Sequence, residues 1–321
     1  MDIDSSFPVI LGPTASGKTK LAVQVAAMLN GEIISADSRQ VYRNMDIGTG
    51  KDLAEYEVNG GKIPYHLIDI VEAGTQYNVN DFQRDFETAF KQIILNGSQP
   101  IVCGGTGFYI HALLMGHAYP GIPVNGQLRV ELESLSTEEL TKRFNTYNTV
   151  YQSIADTSTR KRLIRAIEIS EHLMAEPSWK GQFSTSRFGE NTIIFGLNPP
   201  VEVRRKRISE RLNNRLNGGM IEEVEELLKR LSPDQLIYYG LEYKLITQYL
   251  IGELDFATMK TRLETEIHRF AKRQMTFFRK MEKDGLTIHW IDNDMPEDAK
   301  ATYISNKFLE FKSAKSKSIT H

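Results

Sequence analysis

The chain has 321 residues, 40% of them apolar and 25% charged, with a formal charge of −2. This composition excludes intrinsic disorder and collagen-like structure for the bulk of the chain, and the charge excludes a globally basic protein while leaving room for a local basic surface. The single cysteine, Cys103, excludes an internal disulfide and a cysteine-cluster zinc site, and no apolar run approaches the roughly 18 residues that span a bilayer.

Residues 1–6 are acidic and polar, with no basic segment ahead of an apolar one, so no secretory signal is expected and the cytoplasm is the natural compartment. Residues 8–11 read as a buried strand followed by a glycine-rich turn. Residues 18–29 read as a helix, with Leu21, Val25 and Leu29 on one face and Ala22 and Ala26 beside them. Residues 32–36 and 66–70 read as a second and a third strand. A helix over 81–95 carries Phe82, Phe86, Ala89, Phe90 and Ile93 at helical spacing, and residues 100–103 form a fourth strand running into Gly104-Gly105. Alternating strands and helices predict an α/β fold, a parallel sheet covered by helices on both faces.

The pattern changes after Gly116. Pro120, Gly121, Pro123 and Gly126 mark a boundary, residues 128–173 read as helical throughout, and 176–190 is a loop by composition. Residues 192–197 return to strand. A charged helical stretch over 204–231 is interrupted at Gly218-Gly219, 237–282 continues helical, and 287–291 forms a last strand. The expected organisation is a core of residues 1–116 and 192–311, an all-helical insertion over 117–191, and a mobile Lys/Ser-rich tail over 312–321.

Gly12-Pro13-Thr14-Ala15-Ser16-Gly17-Lys18-Thr19 fits the phosphate-loop pattern G-x-x-x-x-G-K-[ST] between a predicted strand and a predicted helix, which weighs against a chance match. The glycines let the backbone curl with its N–H groups inward, and the helix adds its positive end. Lys18 offers a charge for a terminal phosphate and Thr19 a hydroxyl for Mg²⁺. The loop specifies phosphate or diphosphate without specifying ATP. The N-K-x-D element of GTPases is missing, since Asn306-Lys307 runs on into Phe308-Leu309. A small-molecule kinase stays open.

The second strand leads into Ser35-Ala36-Asp37-Ser38-Arg39-Gln40-Val41-Tyr42. Ligands of open α/β sheets bind beyond the carboxyl ends of the strands, so Asp37 and the phosphate loop face one cleft. An aspartate there suits an Mg²⁺ ligand or a general base; it equally suits a helix N-cap.

GPTASGKT (12–19) is followed by ISADSRQVYRNMDIGTGK (34–51), PYHLIDI (64–70), YNVNDFQRDF (77–86), PIVCGGTGFYIHALLMG (100–116), RKRLIRAIEI (160–169) and FAKRQMTFFR (270–279). In that order the chain resembles the tRNA dimethylallyltransferases, also called tRNA isopentenyltransferases, from about residue 8 to 291. The resemblance implies a P-loop NTPase-like core carrying a helical insertion. It implies transfer of a dimethylallyl group from dimethylallyl diphosphate to N6 of the adenosine 3′ to the anticodon, position 37, of tRNA. Mg²⁺ as cofactor and a monomer are expected with it.

By the same resemblance Thr14 and Lys18 contact the diphosphate, Asp37 is the base at N6, and Arg211 reaches the leaving group. A guanidinium suits a fork of phosphate oxygens better than an ammonium does. On periodicity alone, Arg211 belongs with Arg204, Arg205, Lys206, Arg207 and Arg215 on a solvated helix face. Ser38, Arg39, Gln40, Thr106, Arg129, Lys161, Arg162, Arg165 and Arg273 are the tRNA contacts expected beside Asp37. The alternative for the clusters at 160–165 and 268–273 is salt-bridging with Glu168, Glu264 and Glu266. Tyr42 and Tyr109 read either as walls for the isoprenoid or a base, or as core.

The sequence departs from the family pattern in places. Gly50-Lys51-Asp52 stands for alanine-lysine-proline, Gly240-Leu241-Glu242-Tyr243 for G-Y-[KR]-[EQ], Thr276-Phe277 for Thr-Trp, and Val201 for an arginine. These are expected mostly on the side that grips tRNA, with the diphosphate machinery intact. Prenyl transfer to a free adenine nucleotide is the second reading, weighed down by the insertion and the basic clusters. A P-loop kinase is the third, and an RNA-binding protein with a vestigial loop the fourth.

Overall fold

A computed structural model describes residues 6–58, 60–116, 119–179 and 188–319. The chain start, most of the loop expected over 176–190, part of the boundary after Gly116 and the last two tail residues lie outside them.

The first elements are β1 (Phe7–Leu11), α1 (Lys18–Leu29), β2 (Gly31–Ser35), the short strands β3 (Glu57–Val58), β4 (Gly61–Lys62) and β5 (Tyr65–His66), α2 (Val79–Leu95), β6 (Gln99–Gly104) and α3 (Gly107–Met115). Three helices follow, α4 (Gly126–Ser134), α5 (Thr137–Asn145) and α6 (Arg160–Ala175). The remainder is β7 (Thr192–Gly196), α7 (Val201–Asn217), α8 (Met220–Leu228), α9 (Pro233–Ile237), α10 (Leu241–Leu250), α11 (Phe256–Lys283), β8 (Ile288–Trp290) and α12 (Glu297–Ile319).

Six strands form one parallel sheet in the order β5-β2-β6-β1-β7-β8. Because strand side chains alternate, both faces must be covered. Val9, Leu11, Ile34, Val102 and Ile194 pack on one side against Phe82, Phe86 and Ile93 of α2 and Phe278 of α11. Ile10, Ile33, Ile101 and Phe195 pack on the other against Leu21, Ala22 and Val25 of α1 and Ile304 and Phe308 of α12. The apolar faces read from the α1 and α2 sequences are thus the buried ones. Tyr42 and Tyr109 belong to the same core: Tyr42 sits 4.7 Å from the Tyr239 ring and Tyr109 stacks 4.6 Å from Phe82.

The chain divides into two compact units, Met1–Leu114 with Phe188–His321, and Met115–Arg187. The second unit is helical. Leu128, Leu132, Leu140, Phe144, Leu163 and Ile167 from α4, α5 and α6 form its own core.

Two expectations need correction. The strand at 66–70 is only Tyr65–His66, because Leu67 and Asp69 take left-handed backbone (φ 61° and 57°) and end the extended run. The residues 312–319 of the expected tail continue α12, where Lys312 Nζ donates to Gln99 Oε1 at 3.1 Å. Among the described residues no helix is long and apolar enough to cross a membrane.

Candidate active site

A cleft of about 660 Å³ opens at the carboxyl ends of β1, β2 and β6. The loop between β1 and α1 supplies one wall. Ala15 and Gly17 have left-handed backbone (φ 60° and 87°), and Ser16 N–H closes a turn onto Pro13 O at 3.2 Å. Alternating backbone handedness turns successive N–H groups toward one concavity. No side chain caps α1 and no acidic residue stands in its first turn, so its amino end is left for an anion. Ser16 Oγ is buried without a hydrogen-bond partner among the described residues. Gly12 leaves it room: a Cβ there would lie 2.6 Å from Ser16 Oγ. Thr14 to Thr19 line the cleft, while Gly12 and Pro13 shape the loop behind them. Burial lowers the pKa of Lys18.

Asp37, Ser38, Arg39 and Gln40 line the same cleft from the end of β2, and Thr106 from the end of β6. Asp37 Oδ1 accepts from Arg39 N at 2.8 Å and Gln40 N at 3.4 Å, so it caps a turn and not the helix N-terminus weighed from sequence, since no helix directly follows it. Ser38 N–H donates to Thr106 Oγ1 at 3.1 Å, joining the two strand ends. Gln274 of α11 was no sequence candidate. Its Oε1 accepts from Thr14 N and its Nε2 donates to Gly105 O, both at 2.9 Å, so it clasps the phosphate loop to the β6 turn. The quoted segment FAKRQMTFFR contains it, yet only the packing of α11 reveals its role.

The opposite wall is α7 with the turn at 46–52. Arg211 Nη2 donates to Gly50 O at 3.3 Å and to Asp52 Oδ2, and Arg215 Nη2 lies 3.5 Å from the same carboxylate oxygen. The departure at Asp52, expected on the tRNA side, therefore touches the arginine assigned to the leaving group. Arg215, read as solvated helix, lines the cleft with its side chain only 15% exposed. Gly50 permits this approach: its φ is 69°, and a Cβ would sit 1.8 Å from Arg215 Nη2. Lys51 is buried beneath, donating to Tyr42 O and Asp46 Oδ1 at 2.6 Å and to Asp69 Oδ1. Arg273 of α11 also lines the cleft, and more basic than acidic side chains surround it.

The remaining candidates lie in the helical unit. Arg129 Nη2 and Arg165 Nη1 reach the fully buried Glu168 carboxylate at 2.8 and 3.5 Å, and Arg165 also donates to Ile122 O at 2.5 Å. Lys161 is exposed, and Arg162 is exposed and paired with Asp156 at 2.8 Å.

Among the described residues no group of three or more His, Cys, Asp or Glu side chains could hold a metal ion. Thr19 lines the cleft, and its hydroxyl is the group that would meet an Mg²⁺ taking most of its ligands from phosphate and water.

A parallel α/β sheet with a phosphate loop, an aspartate on the same rim and an arginine wall defines the class of P-loop-like proteins. The sequence matches the family model described as IPP transferase over residues 40–281, and that described as isopentenyl transferase over 6–70. The chain belongs to the IPP transferase family. It is 50% identical over 309 residues to tRNA dimethylallyltransferase 2 of Bacteroides fragilis, covering 96% of this chain and 99% of that protein. It is 52% identical over 290 residues to tRNA dimethylallyltransferase 1 of Porphyromonas gingivalis, covering 90% and 94%. The crystal structure of full-length tRNA isopentenylpyrophosphate transferase from Bacillus halodurans superposes with a TM-score of 0.72 at 32% identity, over 99% of this chain and all of that one.

Proposed function

We propose that the protein is a tRNA dimethylallyltransferase, moving a dimethylallyl group from dimethylallyl diphosphate to N6 of adenosine 37 in tRNA. The observation that carries this reading is that one rim holds both an anion cradle and, beside it, the Asp37 carboxylate. The C1–O bond of the donor breaks with its electron pair passing to diphosphate. Loop N–H groups, Lys18 and Arg211 meet that growing charge, and Thr14 holds the bridge region. The N6 lone pair forms the new C–N bond, and Asp37 accepts the N6 proton. Mg²⁺ held near Thr19 would neutralise diphosphate charge.

The adenosine has to leave its stack to enter such a cleft, which costs a few kcal/mol. Ser38, Arg39, Gln40, Thr106 and Arg273 contact the acceptor in this reading. A working monomer in the cytoplasm belongs to the same reading. The test is mass spectrometry of nucleosides from unmodified tRNA incubated with enzyme and dimethylallyl diphosphate, with AMP as a parallel acceptor. N6-dimethylallyladenosine from tRNA at a rate far above AMP is the expected outcome. Equal use of AMP would transfer the reading to a free-nucleotide enzyme, and phosphoryl transfer from ATP to a kinase.

A further inference from the structure

Two arginines of α7 converge on one oxygen. Asp52 Oδ2 accepts from Arg211 Nη2, and Arg215 Nη2 stands 3.5 Å away. Their side chains are 32% and 15% exposed, so both guanidiniums are largely withdrawn from water. Arg215 Nη2 is buried without a hydrogen bond among the described residues. Burial lowers the Arg215 pKa, and the neighbouring Arg211 charge lowers it further. Asp52 is the carboxylate in direct contact with the pair, while Glu242 acts on both arginines and Glu55 on Arg211 from further off, and the buried Arg215 Nη2 keeps an N–H without a hydrogen bond among the described residues. Such an N–H is costly unless a further acceptor arrives. Both arginines and Asp52 line the cleft that contains the phosphate loop. Asp52 itself has left-handed backbone, φ 35°, in the turn whose Gly50 carbonyl also accepts from Arg211. A carboxylate presents charge and oxygen geometry similar to one edge of a phosphate.

We propose that Asp52 is an internal stand-in for the leaving group: it holds Arg211 and Arg215 ready, and an incoming diphosphate takes both from it. Arg215 becomes a second diphosphate ligand. Asp52 becomes a positioning residue that sets anion specificity. Diphosphate reaches the phosphate loop and the arginine pair together and displaces one carboxylate. Orthophosphate cannot reach both and competes poorly. This rests on the cleft being a diphosphate site, but on neither the prenyl group nor the acceptor.

Calorimetric titration of the full chain with inorganic diphosphate and with orthophosphate, in EDTA so that no metal bridges to Asp52, tests it. The variants are Asp52→Asn and Asp52→Gly, both compatible with left-handed backbone. An internal competitor reduces apparent affinity by the fraction of time it occupies the site, so both variants should bind diphosphate about tenfold tighter. Orthophosphate should gain at least as much, narrowing the preference for diphosphate. The KM for dimethylallyl diphosphate should fall while kcat does not rise, a split that a merely structural residue would not produce. Arg215→Gln should weaken diphosphate binding and cancel the gain in the Asp52→Asn background. Equal or weaker diphosphate binding in both Asp52 variants, or a full gain without Arg215, overturns the proposal. Wild-type protein that binds no diphosphate at all would instead remove the diphosphate-site reading beneath it.

Discussion

Asp37 Oδ1 is engaged by Arg39 N and Gln40 N, so the side chain shapes its own turn as well as facing the cleft. Asparagine keeps an Oδ1 acceptor and loses the basic carboxylate. Asp37→Asn should therefore melt like wild type and bind dimethylallyl diphosphate normally, with kcat lower by about 100-fold or more. Steady-state kinetics with a thermal melt checks this; an unchanged rate with lost stability would leave Asp37 as a cap only. Lys18→Ala and Thr14→Ala remove a charge and a hydroxyl from the anion cradle, and each should slow transfer about 100- to 1000-fold. Single-turnover rates decide it, and unchanged turnover in both would refute the loop assignment. The types and order of these residues were legible in the sequence. The Gln274 clasp was not, because its partners Thr14 and Gly105 lie 260 and 169 positions away.

The turn at 46–50 has no regular structure of its own, and one carboxylate holds three of its backbone N–H groups. Glu223 on α8 accepts from Asp46 N and Ile47 N at 2.7 Å, Gly48 N at 3.0 Å and Tyr243 Oη at 2.7 Å. Four donors share one anion, so Glu223→Ala should destabilise the protein by about 3 kcal/mol and raise the KM for the diphosphate substrate by loosening the wall that carries Gly50 and Asp52. Chemical denaturation beside steady-state kinetics measures both effects. Between β2 and β5, the buried Glu32 accepts from His66 Nε2 at 2.7 Å and Asn96 Nδ2 at 3.4 Å. Burial alone would raise its pKa; hydrogen bonds from His66, Ser98 and Asn96 outweigh it and hold the carboxyl below its ordinary 4.5. A depressed carboxyl contributes stability that is present above the unfolded value and lost as pH falls through the folded one. Glu32→Gln should cost about 1–2 kcal/mol at neutral pH, and the gap to wild type should close below pH 4.5. Melting curves across pH 3 to 8 provide the measurement, and a gap independent of pH would contradict it (about 1 kcal/mol being readily resolved).

For the molecule as a whole, a chain of net charge −2 must bind an anionic tRNA through local basic surface. The arginines of the helical unit are not equivalent in this respect. Arg165 and Arg129 neutralise a buried carboxylate, Glu168, so Arg165→Ala should cost about 3 kcal/mol of stability by leaving that charge poorly paired. Arg162 is exposed, and Arg162→Ala should leave stability within about 0.5 kcal/mol. Arg162→Ala and Arg273→Ala should each weaken tRNA binding and reduce the slope of log K against log salt by a bit under one unit. Arg162→Ala should not alter affinity for dimethylallyl diphosphate by more than about twofold. Filter binding across a salt series reads the slope, and an unaltered slope in both variants would remove them from the tRNA surface.

The sequence by itself determined the phosphate loop, the alternation that makes a parallel sheet, the helical insertion and the Asp37 rim. Each is written in local runs of residues, where backbone freedom and periodicity act. Tertiary structure alone decided which distant groups meet. It ended the third strand at His66, because Leu67 and Asp69 turn left-handed where Asp69 meets Lys51. It turned the tail into the end of α12 and drew Arg165 inward to Glu168. It also set Arg211 and Arg215 against Asp52, across 159 residues in the first case. A helix of alternating charge has the same pattern whether its arginines face water or a carboxylate. Only the sheet order, by fixing which loops share one rim, tells the two apart.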